Sequence, residues 1–306
     1  MKEINFNSIL IIGMGLIGSS LARAIKEYKI AKNIYGVDNN EDNLKKCKDL
    51  NIITLGNVDI NKFTDQFDLV LICSPLSSYK KIFKNLNNFI SKDTLVSDVG
   101  STKMSVIKDF KEIITNNHIQ FIPSHPIAGL EKSGPEFGFA SLFKDRFCIL
   151  TPFDNNLNNI KKITIFWNAI GMQVQLMDSE HHDRVLAMTS HIPQLIAYSI
   201  VATATELETH LKDEVIKYSA AGFRDFTRLA GSDPVMWRDI FSKNKEAVLE
   251  MLGRFTEDLT TLQKAIRNDD LNFLEKTFNT TREVRHTIEK LGQAGSFDPT
   301  EKKKFK

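Results

Sequence analysis

At 306 residues the chain is longer than one typical core needs and too short for three, so two domains are expected. Hydrophobic residues make up 42% of it and charged residues 25%, the composition of a globular protein rather than a disordered one. With 40 basic and 38 acidic residues the formal charge is +2, which excludes the broad positive field that gripping nucleic acid requires.

The first half alternates strand and helix patterns. Residues 8–12 (SILII) form a short apolar run ending at Gly13, and residues 16–28 have helical spacing. Residues 33–38 read as the next strand, followed by a polar helix over 41–50. Residues 68–73 (DLVLIC) lack alternation, as a parallel strand covered on both faces does. Residues 94–99, 119–124 and 147–152 continue the series, and a helix over 158–170 leads into a last strand over 172–178. Strands separated by helices of this length predict a doubly wound α/β sheet.

After Asp178 only helical patterns remain, over residues 180–208, 213–221, 234–265 and 272–291. Ser179 or Asp178 caps the first of them. This helix (LAMTSHIPQLIAYSIVATA) is apolar on more than one side and needs cover all round. Four helices can hardly surround it, so a partner subunit is the expected cover. The predicted plan is a dinucleotide-type α/β domain over residues 1–178, an all-helical substrate and dimerisation domain over 179–292, and a flexible tail over 293–306 that carries Lys302, Lys303, Lys304 and Lys306. No apolar run is expected to be long enough to span a bilayer. The N-terminus enters a strand with no signal-peptide layout. Cys47, Cys73 and Cys148 have neither disulfide nor metal-ligand spacing, and Cys73 and Cys148 read as buried, inert thiols. A cytoplasmic protein follows.

Gly13-x-Gly15-x-x-Gly18 falls directly between a strand and a helix, the context in which that spacing carries meaning. Gly13 permits the tight turn, Gly15 lets the backbone approach a pyrophosphate, and Gly18 lets helix and sheet pack closely. Leu16 and Ile17 open the helix, whose N-terminus offers free N–H groups and a positive dipole end to phosphate. Asp38 lies 20 residues after Gly18, at the end of the second strand, where a carboxylate accepts hydrogen bonds from the adenosine ribose. It also repels a 2′-phosphate, and Asn39 and Asn40 supply no guanidinium, so NAD is expected rather than NADP. Ser74 and Pro75 follow the strand over 68–73 at the carboxyl edge of the sheet and are expected to line the cofactor cleft. Together these features predict a Rossmann-type domain.

Four more segments gather polar residues: DVGSTK (98–103), SHPIAG (124–129), TSHIP (189–193) and GFRDFTRLA (222–230), the last with two arginines four apart and Trp237 beyond it. With GMGLIGSS and EHHDRVLA, in this order along nearly the whole chain, they resemble the prephenate dehydrogenase family of tyrosine biosynthesis. The resemblance implies oxidative decarboxylation of prephenate to 4-hydroxyphenylpyruvate with reduction of NAD, in a homodimer formed through the helical domain. It implies that Ser101 bridges a histidine, the nicotinamide and the substrate hydroxyl. It further implies that Arg228 grips a substrate carboxylate, and that Asp225 and Trp237 lie near the substrate mouth. Two positions depart from the family pattern: Gln194 replaces a common second histidine, and Leu130 a small hydroxyl residue.

The chemistry fits these residue types. Prephenate is a cyclohexadiene with a ring carboxylate, a carbon bearing hydrogen and hydroxyl, and a side chain ending in a second carboxylate. Its oxidation needs a base at the hydroxyl, a nearby hydride acceptor, and cations for the carboxylates. His125 is the expected base, since a neutral imidazole suits physiological pH. A planar arginine fork such as Arg228 suits a carboxylate. His191 is either a substrate contact or a satisfied core histidine, because Asp183, Ala187 and His191 recur at four-residue steps on one helix face. Pro193 should kink this helix. Arg224 could equally be an interface residue, Trp237 a core one, and Asp225 either a ligand for the arogenate ammonium or a carboxylate that orients Arg228. The pair His181-His182 is no metal site, since adjacent helical residues diverge by about a hundred degrees.

Two rival readings fit less well. A β-hydroxyacid dehydrogenase would carry a catalytic lysine on the long helix, and residues 180–208 contain none. A non-enzymatic NAD sensor has no need of Ser101, His125 and Arg228 together. Arogenate or dual-specificity cyclohexadienyl dehydrogenase activity is the nearer alternative.

Overall fold

β1 (Phe6–Ile12) is an inner strand of a six-stranded sheet with every pair parallel. The computed structural model describes residues 5–64, 66–91, 93–114, 119–154, 156–206, 214–215 and 217–290. They fall into two compact units, residues 1–248 and 249–306. After β1 come α1 (Leu16–Glu27), β2 (Ala31–Val37), α2 (Glu41–Asp49), β3 (Leu55–Asn57), β4 (Leu69–Ile72), α3 (Tyr79–Phe89), β5 (Leu95–Asp98), α4 (Met104–Ile113) and β6 (Gln120–Ile122). The strand order is β3-β2-β1-β4-β5-β6. The chain runs outward from β1 on one side and then from β4 on the other, which opens a crevice at the carboxyl ends of these two strands, the usual ligand position in such sheets.

Burial explains the unbroken apolar strands. Ile9, Ile11, Leu69 and Leu71 belong to the core on one face of the sheet. Leu10, Ile12, Val70 and Ile72 belong to the core on the other. Each strand therefore supplies hydrophobic side chains in both directions. The three-residue edge strand β3 was not legible, being too short to show a period.

The stretch over residues 119–124 is not one strand, and the last strands do not extend the main sheet. The chain breaks at Pro123: β6 pairs with β5, whereas β7 (Ser124–Pro126) runs antiparallel to β8 (Phe147–Leu150). After α5 (Leu157–Ala169), β9 (Gln173–Leu176) pairs parallel to β8 and completes a separate three-stranded sheet. Instead of joining β5, the Ser124 N–H donates to the Asp98 carboxylate at 3.0 Å. Between β7 and β8 the chain crosses α1, where a Cβ on Gly138 would lie 2.3 Å from Ser19 Oγ.

Asp178 caps α6 (Ser179–Leu186), accepting from the Glu180 and His181 N–H groups. The helical path continues through a π turn over Ala187–His191 into α7 (Ile192–Thr205). The backbone bond that Pro193 cannot make is thus absorbed by a π turn before it, which widens the helix at His191. Beyond lie α8 (Ala221–Thr227), α9 (Pro234–Lys243), α10 (Lys245–Arg267) and α11 (Leu271–Lys290). The expected single helix over 234–265 is interrupted at Asn244 (φ −113°, ψ 31°). The expected ends at Glu208 and Leu291, the start at Asp213 and the lysine tail lie outside the described residues.

Two expectations are corrected. The path Ser179–Thr205 spans 27 residues with a mean hydropathy of 1.4 in its most apolar window, long and apolar enough to cross a bilayer. Only 33% of that window is buried, and Met188 and Ile200 are exposed, so much of its apolar surface is uncovered among the described residues. Cys47 and Cys148 are buried, but Cys73 is only partly so.

Candidate active site

The glycine turn is shaped by close approach. Gly13 has φ +99°, and a Cβ there would lie 2.7 Å from the Cys73 carbonyl and from Ser74 Oγ. A Cβ on Gly18 would lie 1.9 Å from the Gly13 oxygen. Around Gly15, by contrast, a Cβ would meet nothing within 4 Å, so the backbone faces open space that a ligand can enter. The α1 N-terminus, at Leu16 and Ile17, has no side-chain cap and no acid in its first turn, which leaves its N–H groups and dipole to a phosphate. Asp38 braces this turn: Oδ2 accepts from the Met14 N–H at 2.6 Å and Oδ1 from the Asn40 N–H at 2.8 Å. Ser74 Oγ donates to the Ile12 carbonyl at 3.1 Å and so ties β4 to the same turn, with exposed Pro75 next to it. Chain and dinucleotide fit.

The neighbouring strand ends are joined by a buried ion pair. Lys103 Nζ lies 2.7 Å from Asp98 Oδ2, and both side chains are fully buried. The same ammonium donates to the Ser124 carbonyl at 2.7 Å, while Asp98 also accepts from the Gly100 N–H and Tyr79 Oη. Ser124 Oγ bonds Ser97 Oγ and accepts from Trp167 Nε1. This network fixes the residue before His125 and the turn that carries half-buried Ser101.

Three histidines lie buried in this region. His125 Nδ1 lies 2.9 Å from His182 Nε2, and His182 Nδ1 lies 2.8 Å from Asp183 Oδ1. Asp183 is held in turn by the Lys103 and Met104 N–H groups at the start of α4, at 2.7 and 2.9 Å. Burial, then the neighbouring His182, Lys103 and His191, hold His125 well below the usual imidazole range, so it is neutral at physiological pH. His182 is lowered by burial too, with Asp183 opposing the shift. His191 is lowered to about 4, chiefly by burial.

Asn244 explains the break between α9 and α10. Its Nδ2 donates to the Asp183 carbonyl at 2.8 Å and contacts His191 Nδ1 at 3.1 Å. Because this nitrogen is a donor, His191 Nδ1 accepts and Nε2 carries the proton. His191 Nε2 and Trp237 Nε1 are both buried with no hydrogen-bond partner among the described residues, and the two rings meet edge to face at 6.0 Å. His191 is thus satisfied at one nitrogen and open at the other, and Trp237 packs on the core with its Nε1 donor buried.

Arg228 pairs with Glu131, just past the SHPIAG loop, and its side chain is 61% exposed. The partner of Arg228 is therefore Glu131 rather than Asp225, which is exposed on α8. Gln194 donates to the Leu229 carbonyl at 2.6 Å, so it supports the segment carrying Arg228. His182, Asp183, Lys103, Asn244 and Glu131 were not singled out for these contacts. In sequence the EHHD run carries only the family motif and the exclusion of a metal site, and Asp183 only a face shared with His191.

A glycine-turn Rossmann domain, a carboxylate closing β2, and a neutral buried imidazole beyond the sheet's carboxyl edge define a dinucleotide-dependent dehydrogenase. A family model for the prephenate dehydrogenase nucleotide-binding domain matches residues 21–176, and one for the prephenate dehydrogenase dimerization domain matches residues 178–280. The chain belongs to the prephenate dehydrogenase family. It is 39% identical to the cyclohexadienyl dehydrogenase of Zymomonas mobilis over 92% of this chain and 95% of that protein. It is 31% identical to the prephenate dehydrogenase of Bacillus subtilis, over 91% of this chain and 75% of that one. Among solved structures it superposes on the Aquifex aeolicus prephenate dehydrogenase bound to hydroxyphenyl propionate and NAD+. That match has a TM-score of 0.88 and 34% identity, over 94% of this chain and 100% of that one.

Proposed function

We propose that this chain oxidatively decarboxylates prephenate to 4-hydroxyphenylpyruvate, with NAD as hydride acceptor, for tyrosine biosynthesis. The observation that carries the proposal is His125, neutral through burial and placed past the carboxyl edge of a sheet whose crevice fits a dinucleotide. NAD, when bound, supplies the acceptor for the hydride on the hydroxyl-bearing carbon. Gly13, Gly15, Leu16, Ile17 and Gly18 receive the pyrophosphate, Asp38 the adenosine ribose, and Ser74, Pro75 and Ser101 line the rest of the cleft.

His125 takes the hydroxyl proton as the hydride leaves. Loss of the ring carboxylate as carbon dioxide pushes its bonding pair into the ring, which becomes aromatic. The resulting phenolate oxygen takes the proton back, so none need leave the site. Arg228 binds a carboxylate, and Asp225 lies beside this mouth. His191 Nε2–H and Trp237 Nε1–H face substrate acceptors. These are two donors and no acceptor, a pairing that suits the keto acid of prephenate and not the ammonium of arogenate. A second copy of the chain covers the apolar surface of Ser179–Thr205, making a cytoplasmic homodimer through the helical domain. Incubation with prephenate and NAD should yield 4-hydroxyphenylpyruvate, carbon dioxide and NADH in equal amounts. NADH without carbon dioxide would refute the reaction.

A further inference from the structure

We propose that His182, anchored by Asp183, is a positioning residue that fixes the tautomer and orientation of His125. The inference rests on the function proposed above.

The Lys103 and Met104 backbone N–H groups can only donate, so both oxygens of the Asp183 carboxylate are held as acceptors. At 2.8 Å from Asp183 Oδ1, His182 Nδ1 must therefore carry its proton. A neutral imidazole has one N–H, which leaves a lone pair on His182 Nε2. That lone pair lies 2.9 Å from His125 Nδ1, so His125 donates through Nδ1. Its Nε2 is left bare, the form a base at the substrate hydroxyl requires. The rings meet edge to face, with centroids 5.1 Å apart and planes at 64°. Exposures of 0% at His182, 3% at Asp183 and 8% at His125 leave little water to compete for these bonds.

Sequence neighbours thereby divide one task. On α6, His182 reaches β7 while Asp183 reaches the start of α4, and His181 is exposed. The arrangement also answers a charge problem. When His125 accepts the hydroxyl proton it becomes a cation near the Lys103 ammonium, with neutral His191 also close. Asp98 is already paired with Lys103, so Asp183 is the nearby carboxylate linked to His125, through His182. The borrowed proton stays on His125 Nε2 until the phenolate retrieves it. The hydrogen-bonded chain ending at Asp183 therefore holds His125 in place without carrying the proton to solvent.

The test uses the full-length protein with 15N-labelled histidine. Nitrogen NMR at neutral pH should show His125 protonated at Nδ1 and bare at Nε2, a readout that needs neither cofactor nor turnover. In His182→Ala that preference should be lost, and kcat for prephenate should fall by about 10²- to 10⁴-fold, the range for a misplaced general base. KM for NAD should stay within about threefold, since the glycine turn is untouched. His182→Gln should recover at least about tenfold of the lost kcat, because its carbonyl can accept from His125 and its amide can donate to Asp183. A wild-type His125 protonated at Nε2, or equal kcat in the Ala and Gln variants, would overturn the proposal. So would a loss that falls equally on NAD binding, the mark of a merely structural role. Failure of the wild type to turn over prephenate would strike the functional assignment instead, and the tautomer would still be read.

Discussion

Arg228 gives a sharp quantitative expectation, because its guanidinium already has a partner. In the structure it pairs with Glu131, with side chains 61% and 32% exposed. A pair this exposed is worth about 0–1 kcal/mol, so a substrate carboxylate that displaces Glu131 forfeits little. A charge-assisted pair that closes off from water on substrate binding is worth about 2–5 kcal/mol. The mouth is exposed and one competing pair must be broken, so the lower end applies, about 2 kcal/mol. Arg228→Ala should then raise KM for prephenate by about 30-fold. Arg228→Lys should recover part of that loss, since it keeps the charge without the fork. Glu131→Gln removes the competitor and should lower KM by up to about fivefold. The assay is the initial rate of NADH absorbance against prephenate concentration, with NAD saturating and ionic strength fixed. An unchanged KM in Arg228→Ala would refute the reasoning and move the carboxylate site to Arg224 or to a partner subunit.

Three further outcomes are expected. Asp38 should make NAD much the better cofactor by kcat/KM, and Asp38→Ser with Asn39→Arg should narrow or invert the preference; equal use of NAD and NADP by the unaltered chain would remove Asp38 from that role. His125→Asn should lower kcat by about 10²- to 10⁴-fold while NAD binding and the melting temperature survive, and near-normal turnover would place the base elsewhere. His191, lowered from 6.5 to about 4 by burial, takes up its proton first in the unfolded chain. Stability is therefore complete above about pH 6.5 and declines toward pH 4, this group alone contributing about 3 kcal/mol of the loss. Urea midpoints that stay flat from pH 6.5 to 5 would contradict the neutral, buried state.

What the sequence disclosed was local. Gly13, Gly15 and Gly18 act within one strand-to-helix turn, and Asp38 closes the next strand, so spacing alone exposes them. Likewise the place of His125 just past a strand end was legible, because the strand pattern before it ends there. The contacts that support it span the chain: 57 residues separate His125 from His182, 53 separate His191 from Asn244, and 97 separate Glu131 from Arg228. No periodicity marks such pairs. Asp183, Ala187 and His191 are all buried, as their spacing on one helix face implies, and Asn244 joins the Asp183 carbonyl to His191 Nδ1. That spacing carries no sign of the Lys103 and Met104 N–H groups that donate to the Asp183 carboxylate. The split at Pro123 was hidden because β6 and β7 follow one another with a single residue between them, and only their hydrogen-bond partners separate the sheets.

The proposed site takes a keto diacid through donors and a neutral base. The most direct measurement is NADH formation by the purified protein with prephenate and with arogenate, each titrated at saturating NAD. The expected result is turnover of prephenate with a kcat/KM well above that for arogenate, because His191 Nε2–H and Trp237 Nε1–H offer an ammonium no acceptor. A higher kcat/KM for arogenate would contradict this reading and turn attention to Asp225 as the ammonium's partner. No turnover of either compound would contradict the function itself.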